Sequence, residues 1–296
     1  MKLKMLSMLA FASYFSTIPF SAHATEAPVG PPNGADAFLA GALPPPGTYG
    51  VLFLDQYNAN QFNDGNRNSV VPNFNANVSV VALKVLHMTG STVGGGQLGF
   101  YGALPLINQS LSAAGASDSR SGIGDVEMGP VLGWHEGDLH WYALATLVTP
   151  TGAYDKGRMV NLSSNYVTFR PQFAISYLSK SGLDLSARLN YSFNSKNQAT
   201  DFQSGQYFGV DYNIGFAINE SLKIGLQGYY LHQTTDDQQG GVKVGPNGNR
   251  ANVMAYGPGI FYQGKSASIE VKYLTETEVE NRPQGNLLQL KTVWRF

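Results

Sequence analysis

The stretch N-L-L-Q-L-K-T-V-W-R-F, residues 286–296, carries the clearest fold signal of the sequence. Every second side chain in it is apolar, and those between are mostly polar. The apolar set is Leu288, Leu290, Trp294 and Phe296, and the polar set is Gln289, Lys291 and Arg295. A period of two is typical of a β-strand with one apolar and one wet face. A soluble β-sheet protein that ends in a strand gives the same local pattern and stays open as an alternative.

Such a strand, ending on the aromatic residue Phe296, resembles the last strand of the outer-membrane β-barrels of Gram-negative bacteria. In those proteins the last strand pairs with the first and closes the barrel. The resemblance implies that this strand contacts outer-membrane lipid and the barrel-assembly machinery.

The start of the chain predicts export. Two lysines among the first four residues precede an apolar run and the triplet A-H-A at residues 22–24, which is typical of a secretory signal peptide. We therefore expect residues 1–24 to be a signal peptide and residues 25–47, rich in Pro and Gly, to be a periplasmic lead-in or plug. An unstructured tail is the alternative for that lead-in. Residues 48–296 are expected to form the barrel.

Composition favours an envelope protein. The 296 residues include no cysteine, which excludes disulfides and thiolate chemistry. Only 13% are charged while 12% are aromatic, which suits a barrel that faces lipid. With 19 basic and 20 acidic residues, no basic surplus points to a nucleic-acid partner.

Candidate strands recur along the chain, separated by turn signals. We predict about 12 of them, each long enough to cross a bilayer when tilted. Their ranges are 48–56, 74–85, 97–107, 123–135, 139–149, 165–178, 183–194, 206–218, 222–234, 252–263, 267–276 and 285–296. Short turns alternate with long polar loops, except at residues 86–96, where a long connection stands in place of a short turn. The pattern predicts an all-β, antiparallel up-and-down transmembrane β-barrel with periplasmic termini in the outer membrane.

The polar parity of these strands predicts the lumen. The lumen-lining candidates are Asp125, Glu127, Arg170, Gln172, Arg188, Asn190, Asp211, Glu270, Lys272, Lys291 and Arg295. Charges of both signs there either line a wet path or form ion pairs that only support the barrel, and the sequence leaves both interpretations open.

Three motif matches do not predict a functional site. Residues 259–266 match the phosphate-binding P-loop formally, but bulky strand-forming residues fill the loop, so we expect a hairpin. The glycines at 94, 96 and 99 lack a following helix. His135 and His140 have the wrong spacing for a zinc helix. We therefore expect no cofactor, no metal site and no catalytic residue.

Four stretches carry a family resemblance: A-G-A-L-P-P-P-G-T at 40–48, G-I-G-D-V-E-M-G-P-V-L-G-W at 122–134, T-P-T-G-A-Y at 149–154, and residues 165–177. With these the chain resembles the family named for the meta-pathway of phenol degradation, small outer-membrane barrels associated with bacterial breakdown of aromatic compounds. The resemblance implies a channel for passive uptake of small hydrophobic or aromatic solutes rather than an enzyme.

Two other functions stay open. An outer-membrane hydrolase of the phospholipase kind would need a serine beside a histidine near the outer rim, and His232 is the nearest candidate. A structural or receptor barrel would use the Asn-rich loop at residues 57–73.

Overall fold

The computed structural model describes residues 34–296. The expected signal peptide, residues 1–24, and residues 25–33 of the lead-in lie outside the described residues. The named elements of the described part are all β-strands. Within residues 34–296, no helix is both long enough and apolar enough to cross a membrane.

The strands are β1 Gly47–Asn63, β2 Asn75–Val93, β3 Gly96–Ala113, β4 Ala116–Ile123, β5 Val126–Glu136, β6 Leu139–Thr149, β7 Thr168–Leu178, β8 Leu183–Asn194, β9 Phe202–Gln203, β10 Tyr207–Ala217, β11 Leu222–Gln233, β12 Gln238–Gln239, β13 Val242–Lys243, β14 Asn252–Gln263, β15 Ala267–Glu280 and β16 Arg282–Arg295.

Twelve of these strands close into one antiparallel barrel. The hydrogen-bonded order is β2-β1-β16-β15-β14-β11-β10-β8-β7-β6-β5-β3, and a further pairing of β2 with β3 closes the ring. β16 pairs along β1, with Leu290 opposite Leu54. Closure gives each barrel strand two hydrogen-bonded neighbours, which a sheet in hydrocarbon requires. The predicted up-and-down barrel of about 12 strands is confirmed.

Side chains alternate between the two faces as predicted. In β8, Phe193 on the outer face is 44% exposed, whereas its neighbour Ser192 on the inner face is fully buried. The exposed apolar side chains form the outer belt that lipid would cover. Trp134 and Trp141 stack side by side at the end of the β5–β6 hairpin, with ring centroids 6.3 Å apart.

Two connections differ from the prediction. The expected long connection at residues 86–96 is wrong, because β2 and β3 continue to a two-residue turn at Gly94 and Gly95. Both glycines have positive φ, 56° and 75°, which a tight hairpin turn favours. The expected long loop at residues 108–122 is a second hairpin, β3–β4, which turns at Ala114 and Gly115. It extends past the barrel on the side of the long loops. Residues 259–266 end β14 and turn into β15, as the hairpin interpretation predicts.

Candidate functional site

The inner wall of the barrel carries most of the candidate residues. Nine of the eleven are buried: Asp125, Arg170, Gln172, Arg188, Asn190, Asp211, Glu270, Lys272 and Lys291. Glu127 is partly buried, and Arg295 is exposed. The structure brings five of them into one ion-pair network and distributes the others along the wall.

The network centres on Asp36, a residue of the lead-in rather than of the wall. Its Oδ2 lies 2.9 Å from Arg188 Nη1. The other nitrogen of that guanidinium, Nη2, donates to Asp211, directly across the β8–β10 pairing. Asp211 is 1% exposed and Arg188 is 5% exposed. One guanidinium thus joins a wall carboxylate to a carboxylate of the lead-in, a geometry that suits arginine.

A second cation joins the network from the neighbouring wall. Lys291 Nζ lies 3.7 Å from Asp36 Oδ1 and 2.8 Å from Glu270 Oε2. Lys272 Nζ lies 3.4 Å from Glu270 Oε1, and both of these side chains are 1% exposed. Charges this deeply buried are stable only when paired, so removing any one partner should be costly.

The backbone of the lead-in is attached to the wall by hydrogen bonds. The amide of Gly34 donates to Asp211 Oδ1 at 2.8 Å, and the amide of Gly41 donates to Ser176 Oγ at 2.8 Å. Between them, the amide of Leu39 donates to Asp184 Oδ2 at 3.3 Å. Residues 34–46, which we call the lumen segment, therefore lie inside the barrel and run towards its periplasmic mouth.

Side-chain packing holds the lumen segment as well. Phe38 is 3% exposed and packs against Phe261, with ring centroids 5.7 Å apart. A Cβ at Gly215 would lie 2.4 Å from the Phe38 ring, so the wall has a recess there. A Cβ at Gly41 would lie 2.6 Å from the carbonyl oxygen of His140, so only glycine permits this close approach.

A separate polar group lies on the same wall. Arg170 Nη1 lies 3.3 Å from Glu127 Oε2, and its Nε donates to Ser192 Oγ at 3.0 Å. Gln172 Nε2 donates to Thr146 Oγ1 at 2.7 Å. These contacts connect the side chains of β5, β6, β7 and β8.

The three remaining candidates are Asp125, Arg295 and Asn190, of which Asn190 lies opposite Gln172 in the β7–β8 register. Asp125 accepts the amides of Gly152 and Ser164, each at 3.0 Å, and so anchors the long β6–β7 loop. Arg295 donates to the carbonyl oxygen of Pro46 at 3.1 Å at the periplasmic mouth. The Asn190 side chain lies beside Gly209 on the adjacent strand.

Other parts of the lumen are apolar and aromatic. One inward cluster combines Tyr207, Tyr229, Leu231, Val253, Ala255, Leu274, Val279 and Leu287. A second combines Tyr49, Leu86, Met88, Tyr101, Val131, Tyr142, Leu144 and Ala174. The hydroxyl of Tyr229 donates to Glu276 Oε1 at 2.6 Å, and Tyr57 donates to Oε2 of the same carboxylate at 2.7 Å. The lumen is thus amphipathic rather than uniformly wet.

Sequence reasoning missed several residues of this surface. Asp36 lies in a segment without periodicity, so no parity assigned it to the lumen. Glu276 fell at the last position of a predicted strand and was not singled out. Lys84, over the Tyr101 ring at 4.7 Å, lies in a strand where apolar residues occupy both parities. A search for acidic residues in the lead-in could have found Asp36.

The histidines that the sequence singled out contact an asparagine and another histidine. His232 Nδ1 lies 3.3 Å from Asn252 Oδ1 and so has an asparagine rather than a serine beside it. His135 and His140 face each other with their Nδ1 atoms 2.7 Å apart. Within residues 34–296 no group of three or more potential metal ligands occurs.

A protein-family model described as putative MetA-pathway of phenol degradation matches residues 59–292. No curated protein matches the chain.

Two solved structures share the architecture. An outer membrane channel from Pseudomonas putida F1 is 19% identical with a TM-score of 0.78, and the match covers 86% of this chain and 97% of that chain. The translocator domain of the autotransporter NalP from Neisseria meningitidis is 9% identical with a TM-score of 0.51, covering 86% of this chain and 91% of that chain. The fold is that of an outer-membrane β-barrel.

Proposed function

The chain belongs to the family of the putative MetA-pathway of phenol degradation, and on this premise we propose that it is an outer-membrane channel for the passive uptake of small hydrophobic or aromatic compounds. The observation that carries the proposal is the amphipathic lumen. A solute with an aromatic ring would contact tyrosines and aliphatic side chains on one part of the wall. Its polar group would contact the charged residues of β8, β10 and β16.

The size of the barrel supports the same function. A barrel of about eight strands is filled by its own side chains, whereas one of about 16 strands leaves an open aqueous channel. Twelve strands lie between these limits, and here the lumen segment occupies part of the interior. In this proposal residues 34–46 act as a plug that moves when a solute passes. The similar channel from Pseudomonas putida F1 adds support at the level of the fold.

Solute flux into proteoliposomes tests the proposal. We expect vesicles that contain the mature protein to take up benzoate, an anionic aromatic solute, faster than empty vesicles do, and the uptake of phenyl β-glucoside, a neutral aromatic solute, is measured beside it. If neither solute enters faster than it enters empty vesicles, the channel function is wrong.

Two tryptophan substitutions locate the path. Ala82 faces the lumen beside Val51 and Phe53 and is only partly buried, so Ala82→Trp should narrow the pore and reduce the flux. Ala143 is exposed on the lipid face, and Ala143→Trp is the matched control that should leave the flux unchanged. Equal effects of the two would mean that solutes do not pass through the lumen.

A further inference from the structure

The lumen segment presents a carboxylate and an aromatic ring two residues apart, at Asp36 and Phe38. The carboxylate lies between Arg188 and Lys291, and the ring lies in the recess formed at Gly215 and Phe261. The wall therefore has a cationic site and an aromatic site next to each other. Both are filled by the protein's own chain.

The charged groups of the wall need one additional anion to be neutral. The wall groups joined by ion pairs to Asp36, directly or through one another, are the cations Arg188, Lys291 and Lys272 and the carboxylates Asp211 and Glu270. Without Asp36 these five groups carry one net positive charge. Lys84 and Asp55 act on the network from farther away, with one charge of each sign. Glu127 acts on Arg188 as well, but it is itself paired with Arg170. A single carboxylate neutralises the network, as the Asp36 carboxylate does.

The ring site selects an aromatic group by shape. Phe38 is almost fully buried, and its ring lies where a side chain at position 215 would be. The recess exists because residue 215 is glycine. A flat ring that enters it would contact Phe261 in the same way, an arrangement that favours aromatic over aliphatic groups.

We propose that Asp36 and Phe38 occupy a binding site for a monoanionic aromatic carboxylate, and that such a solute opens the channel by taking their place. This inference rests on the proposed channel function and names its solute class and its regulation. The solute's carboxylate pairs with Arg188 and Lys291, its ring enters the recess at Gly215, and the lumen segment is released. Solute and segment exclude each other because they use the same groups.

If Asp36 competes with the solute's carboxylate, removing its charge should raise the affinity for the solute. A ligand that competes with an internal group has its dissociation constant raised by the factor 1/f, where f is the fraction of molecules in which that group has left the site. Asp36→Asn keeps the size of the side chain but removes the competing charge. It should therefore tighten binding of phenylacetate, measured by isothermal titration of the full mature chain in detergent, by roughly tenfold, and a tenfold change is a difference of about 1.4 kcal/mol.

Further titrations identify the partners. Arg188→Gln should weaken phenylacetate binding by at least roughly tenfold, because a charge-assisted pair is lost. Lys291→Gln is the second variant if Arg188→Gln does not fold, and it should also weaken binding. Asp236→Asn, in an exposed loop ion pair with Arg250, is the control that should leave the affinity unchanged. An Asp36→Asn protein that binds phenylacetate no more tightly than the unmodified protein overturns the inference.

Release of the segment can be measured directly because the chain has no cysteine of its own. Ala35 and Ala37 are each 2% exposed, so Ala35→Cys and Ala37→Cys place two independent reporters in the segment. Phenylacetate should accelerate modification of either thiol by a charged maleimide in a saturable manner. Acetate lacks the ring and 2-phenylethanol lacks the carboxylate, so neither should do so. Equal acceleration by 2-phenylethanol would overturn the inference.

The tests separate failure of the inference from failure of the function. If benzoate or phenyl β-glucoside enters proteoliposomes faster than it enters empty vesicles while phenylacetate affinity is unaffected by Asp36→Asn, the channel function stands and the internal competitor does not. If neither aromatic solute crosses, the channel function itself is wrong.

Discussion

Ion pairs occur in two regions of this barrel, and their surroundings differ. In the lumen, Arg188 is 7% exposed at its side chain and Asp211 is 1% exposed. In the extracellular loops, Arg250 is 48% exposed and Asp236 is 27% exposed at the side chain, and Arg250 Nε lies 2.7 Å from Asp236 Oδ1. The residue types are the same in both regions.

Burial determines how much each of these ion pairs stabilises the fold. When an exposed ion pair forms, each charged group replaces contacts with water by a contact of similar strength. The pair therefore adds only about 0–1 kcal/mol to the free energy of unfolding. A buried charged group is not hydrated when its partner is removed, so the loss of the partner is costly. The lumen pairs therefore fix the position of the lumen segment, whereas the loop pairs contribute little to the barrel.

The largest effect should follow loss of the central guanidinium. Arg188→Met leaves the carboxylates of Asp36 and Asp211 without their shared donor. We expect the free energy of unfolding to fall by about 3–5 kcal/mol. Urea titration followed by tryptophan fluorescence measures it. Arg250→Met is the matched control, and it should cost at most about 1 kcal/mol.

High salt should increase the difference between the stability losses of these two variants. At 1 M salt the Debye length is about 3 Å, so exposed pairs are screened and buried pairs much less so. The effect of Arg250→Met should disappear in 1 M sodium chloride while that of Arg188→Met remains. Equal losses for the two variants at both salt concentrations would contradict the distinction between the regions.

A smaller effect should follow a change of backbone fit rather than of charge. Gly41→Ala places a Cβ 2.6 Å from the His140 carbonyl oxygen and from the Ser176 amide nitrogen. We expect the attachment of the lumen segment to weaken by about 1–3 kcal/mol, the usual cost of overpacking. Faster hydrogen exchange across residues 34–46 measures it. Gly90→Ala, where nothing lies within 4 Å of the added Cβ, should leave that exchange unchanged.

The smallest effect concerns an ion pair outside the membrane-spanning part. Asp118, in the β3–β4 hairpin, accepts hydrogen bonds from the Arg158 guanidinium and from the Val160 amide. The Arg158 hydrogen bond, followed by that from Val160, holds the pKa of Asp118 well below its usual value. The contact is therefore fully present above the unfolded pKa near 3.8 and is lost as the pH falls through the lower folded value.

Hydrogen exchange at the Val160 amide follows this contact. The protection factor of this amide, which is the intrinsic exchange rate divided by the observed rate at the same pH, should fall in acid in the unmodified protein. Asp118→Asn should remove this acid dependence while leaving the lumen segment protected. A loss of lumen-segment protection in this variant would show that the two regions are coupled.

The sequence predicts the barrel well where lipid imposes strict alternation. In β8 the outward residues from Leu183 to Phe193 are apolar and the inward ones polar, so parity alone assigns Arg188 to the lumen. The prediction from parity fails where the lumen itself is apolar, as along β2, because inward and outward residues are then both apolar. Parity also could not reveal that Asp125 anchors a loop, since its partners are backbone amides of Gly152 and Ser164.

The lumen segment lies beyond this kind of reasoning. Its proline- and glycine-rich sequence has no period that could specify a face, and its position depends on contacts with residues more than a hundred positions away, as for Asp36 with Arg188. Only the folded wall defines the recess that Phe38 fills.

The central claim is that the barrel is a pore and that residues 34–46 obstruct it. Single-channel conductance in planar bilayers tests it most directly, with the unmodified protein compared with a variant carrying both Asp36→Asn and Phe38→Ala. We predict a clearly larger conductance for the variant, because its segment has lost both the charged and the aromatic contact. Equal conductance for the two proteins would contradict the account.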